Sequence, residues 1–136
     1  MAKFAATDLY ITINAVDLAD HISSYELSES YAELDTTNFD SSGAAERIGG
    51  LSDGSITITF QQDHAASEVD ASLNGIMNTV VEIICKPTSG ATSSTNPSYT
   101  ANFLLTEWTP IAGAVGDLAG FSVTWPRTGA MTRATS

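Results

Sequence analysis

Gly54-Ser55-Ile56-Thr57-Ile58-Thr59-Phe60-Gln61-Gln62-Asp63-His64-Ala65-Ala66-Ser67-Glu68-Val69-Asp70 changes its hydrophobic period partway along. Ile56, Ile58 and Phe60 alternate with Thr57, Thr59 and Gln61, the pattern of a strand with one buried face. Past His64, the residues Val69, Leu73, Ile76 and Met77 fall at i, i+4, i+7 and i+8, which predicts a short helix packed through that stripe. Ser67, with Asp70 three residues on, resembles a capping box and puts acids at the favourable end of the helix dipole. A strand that runs almost directly into a helix is the anchor for the rest of the chain.

On the N-terminal side, Leu9, Ile11 and Ile13 alternate with Tyr10, Thr12 and Asn14 to predict a first strand. A second covers Ile22 to Tyr31, with Tyr25 and Leu27 on one face and Ser24, Glu26 and Ser28 on the other. Residues 32–53 carry Asp35-Thr36-Thr37-Asn38, Ser41-Ser42-Gly43 and Gly49-Gly50, and read as a long loop between two strands. A structureless loop beyond about 12–15 residues implies a function or a partner. After the helix, Thr79 to Lys86 reads as a buried strand and residues 87–98 as a flexible, low-complexity connection. Tyr99 to Trp108 and Leu118 to Trp125 supply two more strands, and residues 127–136 read as an irregular tail. The expected fold is mainly β: a small antiparallel β-sandwich or partly open barrel with one short flanking helix, in a single domain over residues 1–136.

Composition narrows the function. Hydrophobic residues make up 43% of the chain, enough for a core, while charged residues are only 15%, leaving much neutral surface for contact with other proteins. Sixteen acids against five bases give a net charge of −11, which excludes a grip on nucleic acid through its phosphates. No Lys or Arg lies between Lys3 and Arg47, a stretch that contains nine Asp and Glu. After Asp117 only Arg127 and Arg133 carry charge, which suggests contacts between the basic end of one copy and the acidic end of another; a solvated acidic face is the plainer alternative. Cys85 is the sole cysteine and sits in an apolar run, so it reads as a small buried hydrophobe. The N-terminus lacks a signal-like apolar core and no run approaches the roughly 20 residues of a membrane span, so the expectation is synthesis in a cytoplasm and no membrane partner.

Catalytic and metal-binding patterns are weak. His21 and His64 each follow an Asp at the edge of an element, where turn or helix-entry polarity accounts for them. Asn38-Phe39-Asp40-Ser41-Ser42-Gly43 matches the first half of an EF-hand calcium loop, but Gly49 stands where the bidentate Glu is required. One Cys and two distant His do not form a zinc motif, and Gly49-Gly50 lacks the Lys and helix of a phosphate loop. The expectation is no enzyme, no cofactor and no metal.

The strand-to-helix stretch, together with Leu118-Ala119-Gly120-Phe121-Ser122-Val123-Thr124-Trp125-Pro126, resembles the major tail tube protein of long-tailed bacteriophages. The resemblance covers most of the chain and concerns packing pattern, not chemistry. It implies hexameric rings stacked into a hollow tube for DNA, with inner sheets of neighbouring subunits joined into one large ring barrel. It also implies a virion location, with tape measure, tail terminator and tip proteins as partners and DNA passing without specific binding. On that reading residues 32–53 would be the inter-ring stacking loop, presenting Glu33, Asp35, Phe39, Asp40 and Arg47, and Ser24, Glu26 and Ser28 would face the lumen. Two alternatives stay open: a tube subunit of another phage-like injection machine, or a secreted carbohydrate-binding β-sandwich using Trp108, Trp125 or Tyr99 as a stacking platform.

Overall fold

The structure is a computed structural model that describes residues 3–66 and 68–136. Its elements in chain order are β1 (Tyr10–Ile13), β2 (Val16–Asp17), a 3₁₀ turn (Ala19–His21), β3 (Ile22–Asp35), a second 3₁₀ turn (Phe39–Ser41), β4 (Arg47–Gln61), α1 (Val69–Asn74), β5 (Val80–Lys86), β6 (Ser98–Leu104) and β7 (Gly120–Ala134). The strands form an open, wholly antiparallel sheet in the order β2-β1-β5-β6-β7-β4-β3.

β7 joins the two halves of this sheet. Residues 120–126 pair with β4, whereas the stretch from Arg127 onward pairs with β6. The ladder with β4 ends at Pro126, which has no amide hydrogen to continue it. Between Thr128 and Thr132, β7 carries a bulge opposite Thr100 and Asn102, and Gly129 at φ +81° accepts the left-handed backbone it needs. The free edge of β7 is covered by Glu107, whose carboxylate accepts from Thr124 N (3.0 Å) and whose carbonyl accepts from Trp125 Nε1 (2.8 Å). The sheet curls so that β3 approaches β1 and β5: Tyr25 Oη on β3 donates to the carbonyls of Tyr10 (2.9 Å) and Lys86 (3.2 Å) without strand pairing.

The curl encloses one apolar core. Ile56, Ile58 and Phe60 from β4 meet Phe121, Val123 and Trp125 from β7, Ile11 and Ile13 from β1, Val81 and Ile83 from β5, and Phe103 from β6. Phe60 stacks on Phe121 at 5.0 Å between ring centroids and lies 6.2 Å from Trp125. Val69 and Leu73 on α1 are fully buried against this core. The helix is shorter than its apolar stripe, since Ile76 and Met77 lie in the turns after Asn74, partly buried on the same core. Ser67, expected to cap the helix, lies outside the described residues; Glu68 is the N-cap and makes no side-chain capping bond. Cys85 is buried, and desolvation pushes its thiol pKa up to about 12.

Three expectations are corrected. Residues 32–53 are not a structureless loop: β3 and β4 pair as far as Asp35 and Arg47, leaving only residues 36–46 as the connection. The tail from Arg127 is not irregular, because β7 continues to Ala134 beside β6. Residues 87–98 are not without an organiser. Buried Asn96 donates to the carbonyls of Gly90 (3.0 Å) and Ala91 (3.1 Å) and accepts from Thr88 N (3.0 Å), gathering the segment around one amide. In the first two cases pairing with another strand overrides weak local propensity, whereas the third segment is ordered by a side chain of its own.

Candidate assembly surfaces

A projecting hairpin is the first surface. β4 pairs with β7 only from Ser55 to Gln61, so the part of β3 and β4 from Glu29 to Asp35 and from Arg47 to Gly54 has no third strand beside it. Tyr31, Leu34, Ile48 and Leu51 on this ribbon are exposed, and Phe39 at its tip is fully exposed. Arg47 Nε meets Glu33 Oε1 at 2.6 Å, pairing two of the expected loop residues across the ribbon. Asp35 accepts from Thr37 N at 2.8 Å, and that hydrogen bond holds its carboxyl below the usual range. Exposed Asp40 donates its backbone amide to Asn38 Oδ1 at 2.8 Å. The segment that resembled a calcium loop is therefore a capped turn: Asn38 closes it from one side, and Ser41 Oγ is bonded to Glu46 Oε2 at 2.9 Å.

The root of the ribbon is locked by a cation that the sequence reading had assigned to contacts between copies. Arg127 is not available for them. Its side chain is 1% exposed, and its guanidinium donates to Glu29 Oε2 at 2.5 Å and to Ser52 Oγ at 3.1 Å. Tyr31 Oη adds a hydrogen bond to Glu29 Oε1 at 2.9 Å. Gly54 lets β3 and β4 approach closely beside the clamp, since a Cβ there would collide with the Ser28 carbonyl oxygen. Arg133 remains exposed, with Nε donating to Tyr99 Oη at 3.2 Å.

Arg127, then Tyr31, hold the Glu29 carboxyl below its ordinary pKa of 4.5. A carboxyl with a lowered folded pKa stabilises the fold above its unfolded pKa, and that stabilisation is lost as pH falls through the folded value. The melting temperature of Glu29→Gln is therefore expected to lie below that of the parent by a constant gap above about pH 5. The gap narrows in stronger acid. Thermal melts of both proteins across pH 3–8 test this, and a gap that does not change with pH would mean that Glu29 acts without its charge.

The second surface is the outer face of β3, β4 and β7. Ser24, Glu26 and Ser28 are exposed on β3 and stand opposite Thr59, Thr57 and Ser55, which in turn stand opposite Ser122, Thr124 and Pro126. Hydroxyls bond across the strands, Thr57 to Thr124 at 3.1 Å, Thr59 to Ser122 at 2.9 Å and Ser28 to Ser55 at 3.3 Å. Glu26 is the one ionisable side chain among these nine positions. The hydroxyl rows on β4 and β7 were missed as a surface, although the alternation of Thr57 with Ile58 and of Thr124 with Trp125 carries the signal. On its side away from β4, β3 is a 14-residue sheet edge.

A third surface was not anticipated. Ile111, Val115 and Leu118 are exposed on the connection between β6 and β7, at the end of the molecule opposite the ribbon. Of the aromatic side chains of the carbohydrate-binding alternative, Trp125 is fully buried, Trp108 is partly buried against the core, and Tyr99 is half-buried with its hydroxyl bonded to Arg133.

No protein-family model and no curated protein sequence matches the chain. Solved structures do. A chain from the virion of a native gene transfer agent particle superposes with a TM-score of 0.77 at 19% identity, covering 97% of this chain and 99% of that one. A chain from the tail of an empty gene transfer agent particle, refined helically with C6 symmetry, gives 0.72 at 18% identity, covering 96% and 98%. The fold is thus shared end to end with chains of a phage-like particle and its tail.

Proposed function

We propose that this chain is a structural subunit of a phage-like tail, and specifically of its tube. The observation that carries the reading is the end-to-end likeness to a chain of a C6-symmetric tail. Six copies form a ring, with the open edge of β3 paired to a neighbour so that no long edge stays exposed. Rings stack head to tail, a heterologous contact that continues along an axis. The ribbon and the apolar connection at opposite ends of the molecule suit that contact. The face of Ser24, Glu26 and Ser28 with its hydroxyl neighbours lines the channel, where neutral hydroxyls and carboxylates offer DNA no counterion-releasing grip. The tube would belong to a virion made in the host cytoplasm and ending in tape measure, terminator and tip proteins. A tube of another phage-like delivery particle is the second reading, favoured by the gene transfer agent origin of both neighbours. A non-enzymatic role fits either.

Electron microscopy of the purified subunit at rising concentration tests the reading: hollow filaments of uniform width with sixfold symmetry in cross-section are expected, and a subunit that stays monomeric up to millimolar concentration refutes it. Glu26→Lys tests the lining. Tubes are expected to form as before, because Glu26 is exposed and a surface charge contributes little to folding. The mutant channel should retain DNA in low salt and release it in high salt. Parental DNA passage at every ionic strength would mean that Glu26 does not face the lumen.

A further inference from the structure

At the start of β3, away from the ribbon, one imidazole nitrogen is ringed by three carboxylates. His21 Nε2 lies 2.5 Å from Glu68 Oε2, 3.5 Å from Asp20 Oδ2 and 3.7 Å from Asp63 Oδ2. The donors come from the 3₁₀ turn before β3, from the connection between β4 and α1, and from the N-cap of α1. The His21 side chain is 16% exposed, so the nitrogen that faces the carboxylates is largely shielded from water. A proton on Nε2 serves Glu68 well, but at 3.5 and 3.7 Å the oxygens of Asp20 and Asp63 receive no good hydrogen bond from it. Three carboxylates around one imidazole leave excess negative charge in a chain whose net charge is already −11.

We propose that Asp20, His21 and Glu68 form a binding site for a divalent transition metal, with zinc the ion that fits the set. Zinc takes imidazole nitrogen and carboxylate oxygen at about 2.0–2.2 Å, so ligands on a tetrahedral centre stand roughly 3.3–3.6 Å apart. The spacing to Asp20 is close to that, and the ligand atoms of Asp20, His21 and Glu68 already lie within 4.8 Å of one another, a set that Asp63 borders without joining. Only the Glu68 carboxylate must draw back, by about 1 Å, within the freedom of its long side chain. Three protein ligands leave the fourth position of a tetrahedral ion to water. The ion ties the root of β3 to α1. The sequence shows no zinc motif in one Cys and two distant His, and His21 and Glu68, 47 positions apart, converge only in the fold.

The test uses metal-free full-length protein and zinc alone. One zinc per chain is expected by equilibrium dialysis, with the His21 ring resonances shifted in NMR spectra and those of His64, the only other histidine, unmoved. At a hundredfold excess over Kd the melting temperature should rise by roughly 5 °C or more and return on chelation. His21→Gln and Glu68→Gln should each weaken binding at least about tenfold. No stoichiometric binding, unmoved His21 resonances, or a His21→Gln protein that binds as tightly as the parent would each overturn the proposal. The resonance measurement decides on the parent protein alone, should either variant fail to fold.

Discussion

Leu73→Asp is expected to leave almost no soluble protein. Leu73 is fully buried on α1, facing the β-sheet core, and among the described residues no Lys or Arg belongs to that cluster. The substitution removes about 1.5–3 kcal/mol of apolar burial and places a carboxylate where its charge has no partner, costing several kcal/mol more. The sum approaches the whole stability of a small domain, about 5–15 kcal/mol. Leu73→Met serves as the control, since a volume-conserving swap costs less than about 1.5 kcal/mol and should give soluble protein with a slightly lowered melting temperature. Comparing soluble yield and thermal melts of the two decides the matter. A Leu73→Asp protein that melts within a few degrees of the parent would mean that α1 does not close the core.

Leu73 was legible because its environment is set by local period. The same holds for Ile56, Ile58 and Phe60, whose alternation places them together on β4, and for Phe121, Val123 and Trp125 facing them from β7. These runs specify which face is buried before any partner is known. Where pairing is the only source of order, the reading failed. Glu33, Gly49 and Gly50 are poor strand formers, yet Glu33 stands opposite Gly49 because the hairpin continues past its core-facing part. The bulge at Gly129 breaks the alternation that would have marked residues 127–134 as strand.

Charge was legible in amount and not in use. Arg127, the first base after a long gap, read as free for a neighbour, whereas the fold buries it against Glu29, 98 positions away. The imidazole of His21 read as turn polarity, and only the approach of α1 to the root of β3 surrounds it with Asp63 and Glu68. Side chains such as these depend on non-local geometry, so no spacing rule along the chain could reach them. The surfaces for assembly are intermediate. The hydroxyl positions on β3 and β4 follow from alternation, but their alignment across strands into one face depends on the register.

On the proposed tube reading, removing residues 32–51 and joining Tyr31 to Ser52 through Asn-Gly is expected to yield a folded subunit that does not form tubes. Tyr31 and Ser52 are direct partners across β3 and β4, so a two-residue turn can bridge them without changing register. The cut spares Glu29, Ser52 and Gly54, which keeps the Arg127 clamp, and it touches no residue of the core cluster. Stability should therefore change little. What is lost is a two-stranded ribbon that carries Leu34, Phe39, Ile48 and Leu51 into solvent. Such a ribbon is marginal alone in water, and apolar side chains along an unpaired edge call for a partner. In a stacked tube that partner is the adjacent ring, so deletion should remove the axial contact while leaving the edge of β3 from Ile22 to Tyr31 free to pair within a ring. Size-exclusion chromatography with light scattering should then find monomers or single rings where the parent gives filaments. Filaments of parental length from the shortened chain would show that stacking does not depend on the ribbon, and an unfolded product would show that the ribbon belongs to the core of the subunit.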